Sequence, residues 1–210
     1  MRILFLIAFL LLFFQSQAQK VLIVGFENNQ FSTKVGKRMA KKNKTSIKGL
    51  APLLRTELIY ALVNSTSQEV HYHQAGQGDT ITTYFWRWNK IIPKTIKDKK
   101  KKKYNGLVIN EASQSAIKAF VGQQKVDYVF FITRYRISYE STPVPSANGG
   151  ISNAPQDVHE VDFEVYNQNA RLVTGGRHFY RPKFTSKFKK MTRTFERIGR
   201  DIGRDIKESI

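Results

Sequence analysis

The chain contains no cysteine, and this absence excludes disulfide bridges, thiolate metal sites and thiol catalysis. Acidic residues are scarce, 16 Asp and Glu in all, and no pair of them stands out as the two carboxylates of a glycosidase. The sequence also lacks the motifs of serine hydrolases, P-loop proteins, zinc peptidases and dinucleotide-binding enzymes. We therefore expect a protein that is not an enzyme and that carries no cofactor.

Positive charge is what the chain has in excess. Its 35 Lys and Arg residues give a formal net charge of +19 at pH 7. A charge of this size attracts anionic surfaces, which include lipid head groups, lipopolysaccharide, acidic polymers and nucleic acid. The charge alone does not choose among these partners, so the choice depends on where the protein works.

The N-terminal segment predicts that location. Residues 1–18 begin with Met1 and Arg2, continue with twelve apolar residues up to Phe14, and end in a polar stretch closed by Ala18. This order is typical of a cleavable signal peptide, and the apolar run is shorter than the roughly 20 residues of a membrane-spanning helix. We predict export to the periplasm or cell exterior, which makes nucleic acid an improbable partner. Residues 19–210 are long enough for a single domain with a proper core.

Apolar periodicity predicts the order of secondary structure in this domain. Strands are predicted over residues 20–24, 69–73, 126–139, 158–166 and 172–180, and helices over residues 49–63, 111–124 and 187–209. Residues 74–110 interrupt the pattern as a basic, aromatic insertion, while residues 30–48 and 142–156 are predicted to be mobile surface loops. The order β-α-β-(insertion)-α-β-β-β-α predicts the α/β (α+β) class, with helices packed on a single mixed sheet.

Several segments of this pattern resemble the periplasmic family that includes the curli-assembly protein CsgG, the penicillin-binding-protein activator LpoB and the N-terminal domain of TolB. The resemblance is carried by residues 21–28 (VLIVGFEN), 53–62 (LLRTELIYAL), 125–130 (KVDYVF), 161–166 (VDFEVY) and 170–175 (ARLVTG). It implies a non-catalytic role in the cell envelope through docking to other proteins, and it transfers no catalytic residue. Unlike CsgG and LpoB, the chain has no cysteine to carry a lipid anchor.

The closing helix is the first candidate binding surface. At 100° per residue its apolar side chains form a stripe made of Met191, Phe195, Ile198, Ile202 and Ile206. Basic side chains form a second stripe, here named the α4 ridge, made of Arg193, Arg197, Arg200, Arg204 and Lys207. The apolar stripe is predicted to face the core. The α4 ridge is either a site for an anionic partner or a solvated face of a very basic protein.

The insertion holds the second candidate surface, because Trp86 and Trp88 precede a run of lysines. Tryptophan beside lysine suits contact with a lipid surface or a glycan, and the alternative is a hairpin whose aromatic residues cover the core. His71 and His73 are a third candidate, since two histidines on one strand face can bind zinc. The third ligand would then be Asp79, His159 or His178, and the alternative is that these are ordinary surface histidines.

These features lead to three hypotheses. The preferred one is an exported accessory protein that docks to an envelope protein partner through its basic surfaces. The second is a peripheral binder of anionic lipid, lipopolysaccharide or polysaccharide that uses Trp86, Trp88 and the lysine run. The third is a metal-dependent hydrolase that uses the histidines.

Overall fold

A computed structural model describes residues 19–64, 70–74, 93–97, 103–145, 148–182 and 188–209 of the chain. The strands in these ranges are β1 (Gln19–Val24), β2 (Phe31–Thr33), β3 (Val70–Gln74), β4 (Pro93–Lys97), β5 (Lys103–Leu107), β6 (Tyr128–Pro145), β7 (Ile151–Asn167) and β8 (Leu172–Tyr180). The α-helices in them are α1 (Gly36–Lys42), α2 (Ile47–Asn64), α3 (Glu111–Gln124) and α4 (Phe188–Ser209). Among the residues so described, no helix is long and apolar enough to cross a membrane.

Strands β3, β1, β6, β7 and β8 form one sheet in that order, and β2 also pairs with β6. The pairs β3–β1, β1–β6 and β2–β6 are parallel, whereas β6–β7 and β7–β8 are antiparallel. The sheet is therefore mixed, and helices pack on both of its faces. This confirms the predicted α/β (α+β) class. Strands β4 and β5 add a separate antiparallel hairpin, which lies within the predicted insertion.

One face of the sheet carries the larger core, formed with helices α1, α2 and α4. Leu54 and Leu58 of α2 are fully buried there, beside Phe130 of β6. The predicted apolar stripe of α4 lies in the same core, since each of its five members is fully buried. A helix that turns one apolar stripe inward keeps its polar stripe in solvent, which accounts for the exposure of the α4 ridge.

The opposite face is covered by α3 and the β4–β5 hairpin. Ile117 and Val121 of α3 pack against Leu22 and Phe131 of the sheet. The helix starts at the predicted residue, because the Asn110 side chain accepts a hydrogen bond from the backbone N–H of Ser113 at 2.8 Å. An asparagine in this position satisfies an N–H that the first helical turn leaves unpaired.

Two acidic side chains of β7 attach the β4–β5 hairpin to the sheet. Glu164 accepts hydrogen bonds from the Tyr104 hydroxyl at 2.8 Å and from the Leu107 backbone N–H at 2.7 Å. Asp162 accepts one from the Asn105 backbone N–H at 2.9 Å. Because both carboxylates are buried, these bonds satisfy groups that would otherwise lie unpaired in a dry interior.

Two segments predicted to be mobile loops are ordered, so those predictions are wrong. Residues 30–48 contain β2 and α1, because Val35 and Met39, four residues apart, turn inward onto the α2 core. Within residues 142–156, β6 continues to Pro145 and β7 starts at Ile151. Their cross-strand pairing prevails over the proline- and glycine-rich composition that suggested a loop.

Candidate anion-binding pocket

The segment between β2 and α1 turns sharply because the sheet fixes both of its sides. The Lys34 N–H donates to the Ile137 carbonyl of β6 at 3.0 Å, and the Val35 N–H donates to the Thr33 hydroxyl at 3.1 Å. Val35 and Gly36 are buried by this turn, whereas Lys34 is exposed. The chain therefore presents a lysine at the end of a strand whose backbone is held in place.

Helix α1 continues this arrangement with one buried and one basic side. It buries Met39 and Ala40, and it leaves Lys37 and Lys41 in solvent. Its end is fixed by Asn43, whose side-chain amide donates to the Met39 carbonyl at 2.8 Å. The turn that follows leads directly into α2, so the basic side of α1 lies close to the start of that helix.

A pocket of about 650 Å³ opens where these pieces meet. It is lined by Thr33, Lys34, Val35, Gly36, Lys37, Arg38, Ile47 and Tyr139. Two of the lining side chains are exposed and apolar or aromatic, since Ile47 is 54% and Tyr139 is 42% exposed. The pocket thus combines ammonium groups with apolar surface, and this combination suits a ligand that is anionic at one end and apolar at the other.

Arg38 forms a wall of the pocket and is already engaged. Its guanidinium group lies 3.5 Å from a carboxylate oxygen of Asp157, which is 1% exposed. The same group stands over the ring of Tyr139, 5.7 Å from the ring centre. Because Asp157 compensates the charge of Arg38, the ligand-binding cations of the pocket are Lys34 and Lys37.

The surface around the pocket has an unbalanced charge. Residues 34–48 contain seven Lys and Arg residues and no acidic residue. Residues 193–208 of α4, which hold the α4 ridge, contain five basic and four acidic residues. The field of a surface depends on its summed charge, so the segment around α1 attracts an anion much more strongly than the α4 ridge does.

Ion pairs within α4 reduce the ridge further. Arg204 lies 3.5 Å from Asp201 and 4.0 Å from Glu208, and Arg197 lies 3.9 Å from Asp201. The five residues of the α4 ridge, Arg193, Arg197, Arg200, Arg204 and Lys207, are exposed as predicted. Sequence periodicity placed them correctly, but the pocket identified among the described residues lies at α1.

The histidines do not assemble a metal site in the part of the chain that the structure describes. No group of three potential ligands occurs there. His159 is fully buried, its Nδ1 lies 2.6 Å from the Tyr135 hydroxyl, and burial lowers its pKa to about 3. His178 pairs with Asp205 at 2.7 Å.

The strand that carries His71 and His73 is β3, at the edge of the sheet. Its register places His71 beside Lys20 and His73 beside Leu22. Leu22 packs on the α3 face, whereas His159 contacts Phe195 in the α4 core on the other face. This register argues against His159 as the third ligand. Asp79, Trp86 and Trp88 lie outside the described residues.

Sequence reasoning did not identify Lys34, Lys37 and Tyr139 as members of one site. Lysine-rich composition suggested a loop over residues 30–48, although Val35 and Met39 are spaced for one face of a helix. That spacing was the available signal for α1. Nothing local connects α1 with Tyr139, because the register of β6 with β2 sets their proximity.

No protein-family model and no curated protein matches the chain. Similar solved structures include the hypothetical protein CT253 from Chlamydia trachomatis, with a TM-score of 0.42 and 9% identity over 91% of this chain and 97% of that one. A neuraminyllactose-binding hemagglutinin homolog from Helicobacter pylori has a TM-score of 0.40 and 12% identity over 90% and 86%. Lipoprotein GNA1162 from Neisseria meningitidis has a TM-score of 0.32 and 10% identity over 89% and 99%. With TM-scores this low, none of the three is used to argue function.

Proposed function

We propose that the protein is an exported, non-catalytic accessory protein of the cell envelope that docks to an acidic envelope protein through the pocket at α1. The observation that carries the proposal is the uncompensated charge of residues 34–48, seven cations without an acid, arranged around a pocket with apolar lining. The signal-peptide pattern of residues 1–18 supports export, and the resemblance to the CsgG, LpoB and TolB family supports docking to a protein.

The pocket fits an acidic chain segment that also carries an apolar side chain. Lys34 and Lys37 offer flexible ammonium groups that pair with carboxylates. Ile47 and Tyr139 offer exposed apolar surface that a partner side chain would remove from water at about 25 cal/mol per Å². Arg38 holds the Tyr139 ring from one side, so part of the binding surface is ordered before the partner arrives.

Capture from the native envelope fraction tests the proposal. The bait is the protein in the processed form that its host exports, as wild type, as the double variant Lys34→Glu/Lys37→Glu, and as the matched control Arg193→Glu/Arg200→Glu. Both double variants change the net charge by the same amount at exposed positions. We expect the pocket variant to lose at least about tenfold in partner yield, because a charge pair in a partly dry site contributes more than 1 kcal/mol, while the α4 control keeps its partner. Equal capture by both variants would disprove docking at the pocket.

An anionic lipid or polysaccharide is the alternative ligand, since exposed Ile47 and Tyr139 beside lysines also suit a membrane surface. Co-sedimentation with liposomes of anionic phospholipid, and with lipopolysaccharide, separates this alternative from the first. The measurement is made at low salt and at about 0.5 M salt, where charge interactions are strongly screened. Salt-sensitive sedimentation that the pocket variant abolishes, together with no captured protein, would replace the protein partner by the lipid surface.

A further inference from the structure

We propose that the outer edge of β7 pairs with the same edge of a second copy of this chain, and that this antiparallel contact forms a two-fold dimer. The contact lies in the arm, defined here as the part of the β6–β7 hairpin over residues 139–157. It involves neither the pocket nor the α4 ridge, so it is independent of the proposed function.

The arm extends beyond the neighbouring strands of the sheet. Pairing of β2 with β6 ends at Ile137, and pairing of β8 with β7 ends at His159. Strands β6 and β7 nevertheless stay paired as far as Pro145 and Ile151. In the described part of the chain, therefore, no third strand continues along either side of the arm. A hairpin of this kind presents unpaired backbone groups, as any edge strand does.

The register shows which residues direct their backbone groups outward. The Ile137 carbonyl accepts a bond from Lys34, so the backbone of Ile137 faces away from β7. The register of β6 with β7 is unbroken beyond Arg134, and every second residue has the same orientation in antiparallel pairing. Residues 139, 141, 143 and 145 of β6 and their partners 157, 155, 153 and 151 of β7 therefore face outward.

Proline makes the two edges unequal. Pro143 and Pro145 occupy two of the outward positions of β6, and proline has no N–H to offer to another strand. Proline at such positions is a known way to block an edge. The β7 edge has Pro155 at one outward position but keeps the N–H groups of Ile151 and Asn153. The β7 edge is thus open over three residues and is closed at Pro155.

The charge of the arm points to a second copy as the occupant. Residues 141–156 contain no charged side chain, although the chain as a whole carries +19. A neutral edge gives no electrostatic attraction to an acidic partner. For two copies of one strongly basic protein, however, a neutral arm that extends from the body is where contact costs least in repulsion. Ile151, which is 82% exposed, would lose apolar surface to water in the same contact.

The open edge is self-complementary in one register. If Ile151 pairs with Asn153 of the second copy, and Asn153 with Ile151 of that copy, four N–H···O=C bonds form without an N–H from Pro155. The same patch then serves on both subunits, as a two-fold interface requires. Three residues on each side bury far less than a standard interface, so the dimer is weak and forms only at high protein concentration.

Sedimentation velocity over a wide concentration range tests the dimer. The variants are Asn153→Pro, which removes an N–H from the open β7 edge, and the matched control Ser141→Pro, which removes one from the β6 edge. Both positions face outward, so neither substitution removes a bond within the hairpin. We expect Asn153→Pro to raise the dimer dissociation constant at least about tenfold, because it removes two of the four bonds at roughly 1 kcal/mol each. Ser141→Pro should leave it unchanged.

Ile151→Lys is a second test that keeps the backbone intact. It should weaken the dimer at low salt, and about 0.5 M salt should restore part of the loss because added lysines repel across the two-fold axis. Circular dichroism verifies that each variant is folded. A wild type that stays monomeric at millimolar concentration, or a dimer that both proline variants leave intact, would overturn the proposal.

Discussion

Glu164 is the residue whose replacement tests most directly how the β4–β5 hairpin is held. Its carboxylate is fully buried and accepts three hydrogen bonds: from the Leu107 N–H at 2.7 Å, and from the Tyr104 and Tyr166 hydroxyls at 2.8 Å each. Burial raises the pKa of this carboxyl although the three donors act in the opposite direction. The site therefore depends on hydrogen bonding at least as much as on charge.

The substitutions Glu164→Ala and Glu164→Gln separate these two contributions. Alanine leaves three buried donors without an acceptor, and each costs about 1–3 kcal/mol. We expect a loss of at least about 3 kcal/mol, a large share of the roughly 5–15 kcal/mol that stabilises a domain. Glutamine keeps an oxygen for Leu107 and Tyr166, and its amide can donate to Tyr104. The cost of Glu164→Gln should therefore stay near 1 kcal/mol or below.

The pH dependence gives the second readout. A carboxyl whose pKa is raised on folding binds more protons in the folded state, so stability falls as the pH rises from the ordinary carboxyl pKa through the raised one. The free energy of unfolding of the wild type, minus that of Glu164→Gln, should fall over this window because other groups cancel. Urea unfolding followed by circular dichroism between about pH 4.5 and pH 8 measures both quantities. An alanine variant within 1 kcal/mol of the wild type, or a difference that rises with pH, would refute the reasoning.

Two further predictions concern the core. Ile202→Ala should lower the free energy of unfolding by about 2–5 kcal/mol in urea titrations, because it opens a cavity under a fully buried side chain; the exposed neighbour Arg200→Ala should change it by no more than about 0.5 kcal/mol, and similar costs for the two would contradict the orientation of α4. His159 has its pKa lowered from 6.5 to about 3 by burial, so the unfolded state takes up a proton that the folded state refuses, and wild-type stability should fall as the pH drops from about 6.5 towards 3. Urea unfolding at pH 7 and pH 5 should show a smaller drop for His159→Gln, and equal drops would count against a neutral buried imidazole.

Much of the fold follows from periodicity alone. The five apolar residues of α4 recur at helical spacing, and each of them is buried as the spacing predicts. Helix α3 and strand β8 cover the predicted residues, because asparagine capping and β-branched composition mark their ends locally. Such elements are predictable since one face meets water and the other meets the core.

The missed elements are those whose order comes from distant partners. Residues 142–156 have the proline and glycine content of a loop, yet cross-strand bonds hold them as strands, and Pro143 and Pro145 fit because their positions face outward. The pocket was missed for a related reason. Tyr139 and Lys37 are about a hundred residues apart in the chain, and only the parallel pairing of β2 with β6 brings their segments together.

The proposed pocket and the arm should respond to salt in opposite directions. Attraction between the cations around α1 and an acidic partner weakens as the Debye length falls from about 10 Å at 0.1 M to a few Å near 1 M. Pairing of two arms works against the repulsion between two bodies of charge +19, and the same screening strengthens it. Salt that releases the partner while it increases dimerisation would therefore identify two separate surfaces. A common response of both equilibria would mean that one surface serves both contacts.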